Sequence, residues 1–133
     1  MRVGIIGVGM TAFRPSTPEY SWKELMFEGA SRAYADAGIN PRTDVDSFIT
    51  CAEDYYEGFG IFDEFVPDQL GAALRPTCTV SGDGLQGLAT AYMQIQTGLL
   101  DVAVVEAHSK ASDIVTLDGV LEHGMDPIWN RPL

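Results

Sequence analysis

The stretch Cys78-Thr79-Val80-Ser81-Gly82-Asp83-Gly84-Leu85-Gln86-Gly87 constrains the fold more than any other part of the sequence. It passes from β-branched residues into a glycine turn and then directly into a helical pattern. The spacing places Ser81 on a tight elbow at the positive end of a helix. Nucleophiles and oxyanion sites are often built at such elbows. A serine there is also an ordinary cap, its oxygen accepting a backbone amide, and Asp83 can neutralise the same helix end. Residues alone leave both readings of Ser81 open.

The surrounding sequence alternates short apolar runs with amphipathic stretches. Arg2–Val8 reads as a buried strand, and Pro15-Ser16-Thr17-Pro18 as a loop. Ser21-Trp22-Lys23-Glu24 has the form of a capping box. The helix it opens carries Trp22, Leu25, Met26, Gly29, Ala33 and Ala37 at helical spacing and stops at Gly38 and Pro41. Val45–Cys51 reads as a second strand, Phe62–Leu70 as a short helix interrupted by Pro67, and Thr77–Val80 as a third strand. A helix over Gly84–Thr97 sets Leu85, Leu88, Ala89, Tyr92 and Ile95 on one face. It also carries a small-residue stripe, Gly84, Gly87 and Ala91, suited to close packing against another backbone. Asp101–Ala107 reads as a fourth strand, and periodicity is weak from Ser112 onward. Strands alternating with helices imply one α/β domain over residues 1–133, a mostly parallel sheet with helices on both faces.

Composition excludes several function classes. Nineteen acidic residues against eight basic ones give a net charge of −11. Nucleic-acid binding calls for a basic surface, so no nucleic-acid partner is expected. No apolar run spans a bilayer, and the first residues have no signal-peptide shape, so no membrane partner and a cytoplasmic location are expected. Cys51 and Cys78 make neither a disulfide framework nor a zinc site. Cys78 lies within a strand, where cysteine is usually an inert small hydrophobe. Gly7-Val8-Gly9-Met10-Thr11-Ala12 satisfies the dinucleotide-binding pattern, but Pro15 and Pro18 follow where a helix must begin. It reads as a glycine turn. The acidic and aromatic group around Glu53, Asp54, Glu57, Asp63 and Glu64 lacks a calcium-loop pattern and reads as a solvated loop or docking surface. His108 and His123 stand in no triad spacing with Ser81.

Taken together, several stretches resemble the N-terminal part of a thiolase, in particular the sterol-carrier-protein-type and archaeal branch. They are Val3–Thr11, Ser21–Leu25 with Ala33–Gly38, Gly84–Gly87 continuing to Ile95–Gly98, Asp101–Val105, and His108–Ser112. The resemblance implies the N-terminal half of a thiolase-like αβαβα arrangement, its layers completed by a partner half. The family's Cys-x-Ser-Gly turn falls on Ser81, Gly82, Asp83 and Gly84, so serine stands at the position of the reactive cysteine. Where the family often carries Gly-Gly-x-Glu, this chain has Glu106-Ala107-His108-Ser109.

Thiolases are roughly three times longer, with two similar halves. Their catalytic histidines and second cysteine come from the later half. The resemblance therefore implies either a fragment or one subunit of a split thiolase, and the favoured expectation is the subunit, paired with a C-terminal-half polypeptide. It further implies dimerisation through the Thr77–Val80 strand and a zinc-ribbon/OB-fold companion protein. The implied activity is acyl transfer, or carbon–carbon bond formation or cleavage, on coenzyme A thioesters. Ser81 stands at the catalytic position and Gly82, Gly84 and His108 at ligand-binding positions, with no metal and no bound cofactor. The rival expectation is a non-catalytic interaction subunit that keeps the fold.

Overall fold

The computed structural model describes residues 2–52, 67–110 and 113. Helix α1 (Trp22–Ala37) is followed by the short α2 (Pro41–Asp44), β1 (Ser47–Cys51), the short α3 (Pro67–Leu70), β2 (Thr77–Val80), α4 (Gly84–Gln96) and β3 (Ala103–Ala107). The three strands form one parallel sheet in the order β2-β1-β3. Phe48 stands opposite Thr77 and Val104, and Cys51 opposite Val80 and Ala107. All five residues of β1 are buried, as expected of a central parallel strand covered on both faces.

Alternation along the strands sorts the core into two halves. Phe48, Ala52, Val102 and Val104 pack with Trp22, Met26, Ala30 and Tyr34 of α1 and with Leu70 and Ala72. Ile49, Cys51, Cys78, Val80, Ala103 and Val105 pack on the other face, around Ala91 of α4. The sheet thus lies between α1 and α4.

Local chemistry explains the helix ends. Ser21 Oγ accepts from Glu24 N at 3.2 Å, and the Glu24 carboxylate accepts from Ser21 N at 2.7 Å. Gly38 ends α1 at φ 68°, a left-handed conformation that glycine adopts at no steric cost. Asn40 then caps α2, so Pro41 opens a helical turn as well as following one. Pro67 stands at the first described position of α3. Residues 62–66 of that expected helix, and the acidic group at 53–64, lie outside the described residues.

One sequence expectation is corrected. Arg2–Val8 is not a buried strand. It joins no sheet among the described residues, and Val3, Ile5, Ile6 and Val8 are exposed. The segment lies extended along α1 instead. A Cβ on Gly7 would stand 2.6 Å from the Ala33 carbonyl oxygen, and one on Gly9 would stand 2.2 Å from that of Gly29. Val8 N donates to Asp36 Oδ2 at 2.9 Å. The glycine pair therefore lets backbone meet helix, and no helix begins at it. On α4 the small-residue stripe forms the inner face, as its spacing predicts. The sheet-facing residues are Gly87 and Ala91, whereas Leu85, Leu88, Tyr92 and Met93 are on the exposed side. Small residues win the inner face because α4 lies so close to the sheet. A Cβ on Gly87 would stand 2.3 Å from Cys51 Sγ and 2.7 Å from Val105 Cγ1.

Two expected outcomes follow from these contacts. Gly87→Ala forces α4 off the sheet and lowers unfolding free energy by about 1–3 kcal/mol in urea titrations. Combining it with Cys51→Ala, which vacates the contacted volume, recovers part of that loss. Asp46 accepts from Val102 N at 3.0 Å and Asp101 N at 2.9 Å, and these two donors hold its carboxyl below the usual carboxylate value. A depressed folded value stabilises above the unfolded value, about 3.9, and that contribution is lost as pH falls through the folded value. Asp46→Asn, which keeps an acceptor oxygen but does not titrate, is expected to lose less stability than the wild type between pH 6 and 3, as read by urea midpoints.

Candidate functional site

The elbow forms where β2 ends. Val80 is the last paired residue, Ser81 is exposed, and Gly82 turns the chain at φ 135°. Asp83, in extended conformation, is the residue that caps α4. Its Oδ1 accepts from Leu85 N at 2.9 Å and Gln86 N at 3.3 Å. The Gln86 side chain returns the bond, its Oε1 accepting from Asp83 N at 3.0 Å. That returning arm explains Gly82: a Cβ there would stand 1.4 Å from Gln86 Oε1. The capping reading of Ser81 is thereby corrected. Ser81 lies two residues before the cap, and a carboxylate outcompetes a hydroxyl for the charged end of the helix.

The three parallel strands bring different chemistry to their shared carboxyl edge. Ser81, Ala52 and His108 each follow the last paired register of their strand. With β1 between them, the Ser81 and His108 backbones stand two strand spacings apart, on the order of 10 Å. No base is at hydrogen-bond distance from Ser81 Oγ among the described residues. Gly84 approaches β3, its Cβ position 3.4 Å from Ala107 Cβ. Ser81, Gly82 and Gly84 are therefore one turn beside the sheet edge.

His108 belongs to a second cluster, on the α1 face. Its Nδ1 stands 2.9 Å from Glu106 Oε1 and 3.1 Å from Oε2. Its ring stacks on the Trp22 indole, centroids 5.9 Å apart and planes 17° from parallel. Glu106 Oε2 accepts from Thr50 Oγ1 at 2.7 Å. The side chains of His108 and Glu106 are only 5% and 10% exposed, so the pair is interior. Burial first, and then the Glu106 charge, pushes the Tyr34 hydroxyl well above its ordinary range. Tyr34 stays a donor, to the Leu70 carbonyl at 2.8 Å. Lys110 completes this region, donating to the Thr17 carbonyl at 2.7 Å and to the Tyr20 carbonyl, and pairing with Asp113 at 2.7 Å. Sequence reasoning named Trp22 as a helix-face residue and Glu106 as a departure from the family pattern, but joined neither of them, nor Thr50, to His108. The signal was present in the strand pattern: Thr50 and Glu106 are polar at inward positions of mostly apolar strands.

Neither cysteine is placed for chemistry at the elbow. Burial, and next the Glu106 charge, pushes the Cys51 thiol up, while the Gly87 amide opposes this. Cys78 lies mid-strand opposite Ile49, with Gln94 Nε2 at 3.8 Å from its sulfur. No group of three or more His, Cys, Asp or Glu able to hold a metal occurs among the described residues. No helix among them is long and apolar enough to cross a membrane. An open hollow between α1 and α3 is lined by Lys23, Glu24, Phe27, Asp68 and Gln69, and no elbow residue borders it.

Comparison with solved structures identifies the architecture. The chain is similar to 3-oxoacyl-[acyl-carrier-protein] synthase III from Aquifex aeolicus VF5, with a TM-score of 0.63 at 19% identity. The fold is thiolase-like. The match covers 74% of this chain and 32% of the synthase, so the chain spans about a third of that protein's length. No protein-family model matches the sequence, and no curated protein matches it. In the thiolase-like frame, β2, the Ser81–Asp83 turn and α4 form one strand-turn-helix unit.

The capping geometry has a measurable consequence. Asp83→Ala removes the acceptor of two α4 amides and lowers stability by about 1 kcal/mol. Ser81→Ala, at an exposed position outside the cap, changes it by no more than about 0.5 kcal/mol. Thermal unfolding of the two variants checks the pair, and equal losses would contradict the assignment of the cap.

Proposed function

We propose that this chain is a subunit of a thiolase-like complex acting on coenzyme A thioesters, by acyl transfer or by making or breaking a carbon–carbon bond. The observation that carries this reading is the thiolase-like strand-turn-helix unit, with Ser81 exposed at the sheet's carboxyl edge. Ligands of open α/β sheets commonly bind outside that edge. The solved neighbour's name, a 3-oxoacyl synthase, supports acyl chemistry for the fold. In this reading Ser81 holds the nucleophile position, and the Gly82 and Gly84 amides face the thioester carbonyl.

A partner supplies what the described residues lack. Ser81 needs a base to take its proton before it attacks a carbonyl, and the C-terminal-half polypeptide provides it. That polypeptide covers the apolar side of α4, where Leu85 and Met93 are more than half exposed. The β2 strand lies at one edge of the sheet and is the surface for self-pairing. A zinc-ribbon/OB-fold protein is the further companion, and the cytoplasm the compartment.

One observation favours a non-catalytic interaction subunit. The Asp83 carboxylate already occupies two first-turn amides of α4 and sets a negative charge two residues from Ser81. An oxyanion at this turn would meet that charge. The readings separate in the co-purified complex. If Ser81 is the nucleophile, Ser81→Ala lowers acyl-CoA turnover by at least about 100-fold, and Ser81→Cys forms an acyl-enzyme visible by mass spectrometry. Unchanged turnover in Ser81→Ala removes Ser81 from the chemistry. Purification as a stable monomer with no partner contradicts the subunit assignment.

A further inference from the structure

We propose that Glu106 and His108 form a proton-operated latch that fastens the first turn of α1 to the carboxyl edge of β3. The inference does not depend on the acyl-CoA reading. It starts from an oddity of the sheet. Thr79, Thr50 and Glu106 are paired across β2, β1 and β3 in one register row, on the face that α1 covers. A buried polar row in an apolar layer is costly unless its members bond one another. Thr50 and Glu106 do so, and Glu106 then reaches His108. The hydroxyl of Thr79 is buried without a hydrogen-bond partner among the described residues, so the bonded network runs from Thr50 toward β3 and α1.

The contacts assign the protons. Thr50 Oγ1 donates to Glu106 Oε2, which suits a carboxylate. A carboxylate cannot donate, so the bond to His108 requires a proton on Nδ1. With that nitrogen committed, titration of the ring takes place at Nε2. The imidazolium form pairs its charge with Glu106 and lays a cation on the Trp22 indole face, 5.9 Å between centroids. The neutral form leaves an interior carboxylate with hydrogen bonds from Thr50 and His108 and, among the described residues, no counter-charge in direct contact. Proton uptake therefore tightens the grip of β3 on Trp22, the first residue of α1.

Other charges around the pair are placed as follows. From α1, Lys23 lies 5.3 Å from the Trp22 ring centroid, Glu24 is engaged with Ser21, and Tyr34 senses the Glu106 charge. From β1, Cys51 senses the same charge. Beyond β3, Lys110 is tied to Thr17, Tyr20 and Asp113. From β2 and α4, Cys78 and Asp83 reach Cys51 electrostatically, on the opposite face. Glu106 is thus the one carboxylate in direct contact with the His108 ring among the described residues. The loop before α1 is held at its other end by Lys110, so the latch closes a junction already fastened once.

Trp22 emission reads the latch directly, because a stacked imidazolium quenches indole fluorescence. The sequence holds one other tryptophan, Trp129, and one other histidine, His123. In a Trp129→Phe background of the 133-residue chain, emission is expected to fall through a one-proton transition as pH is lowered from 9 to 5. His108→Gln is expected to abolish the transition. Glu106→Gln is expected to move its midpoint down by about one pH unit or more, a tenfold loss of proton affinity. Absence of the transition, its persistence in His108→Gln, or an unmoved midpoint in a folded Glu106→Gln variant would overturn the proposal. Should Glu106→Gln not fold, nitrogen-15 NMR of the His108 ring in the otherwise unaltered chain decides. A neutral ring protonated at Nδ1 is expected, and one protonated at Nε2 overturns the latch.

Discussion

The fold depends on β1 lying between two parallel partners with helices pressed on both faces. Its five residues are all buried, and each face meets a different helix. Phe48 anchors the α1 side, while Ile49 and Cys51 face α4. Because α4 approaches so closely, Gly87 and Ala91 form its inner face, and the larger apolar residues are left outside. The register of β2 against β1 then fixes where the chain leaves the sheet. Val80 is the last paired residue, so the turn into α4 begins at Ser81. The position of the candidate site is a consequence of strand pairing.

The same pairing separates two chemistries at one edge. The Ser81 turn leads into α4, and the Glu106–His108 pair faces α1. Asp83 secures the first by satisfying the α4 amides, and Thr50 secures the second by donating to Glu106. A triad-like union of Ser81 and His108 is absent among the described residues, since β1 stands between their strands.

Much of this was legible in the sequence. The capping box at Ser21–Glu24, the strand over Thr77–Val80 and the small-residue stripe of α4 each follow a local rule that the structure obeys. The α/β class with a parallel sheet follows from their alternation. What the sequence did not reveal has physical causes. Arg2–Val8 has a strand's composition, but a strand exists only where a neighbour supplies hydrogen bonds, and none of the described residues does so. Leu85, Leu88 and Tyr92 show helical periodicity, which reveals an apolar face without saying what covers it. Ser81 and Asp83 are both good caps, and the choice between them turned on Gln86, whose side chain completes a reciprocal bond only with Asp83. The Glu106–His108 pair was hidden because its partners come from β1 and α1, far apart in sequence.

The most direct test of the functional account is a crystal structure of the purified complex with a non-cleavable ketone analogue of an acyl-CoA, in which a methylene separates the sulfur from the acyl carbonyl. The expected result is the acyl carbonyl at the Ser81–Gly82 turn, about 3–3.5 Å from Ser81 Oγ. An analogue bound elsewhere, such as in the hollow between α1 and α3, with the turn left empty would contradict it.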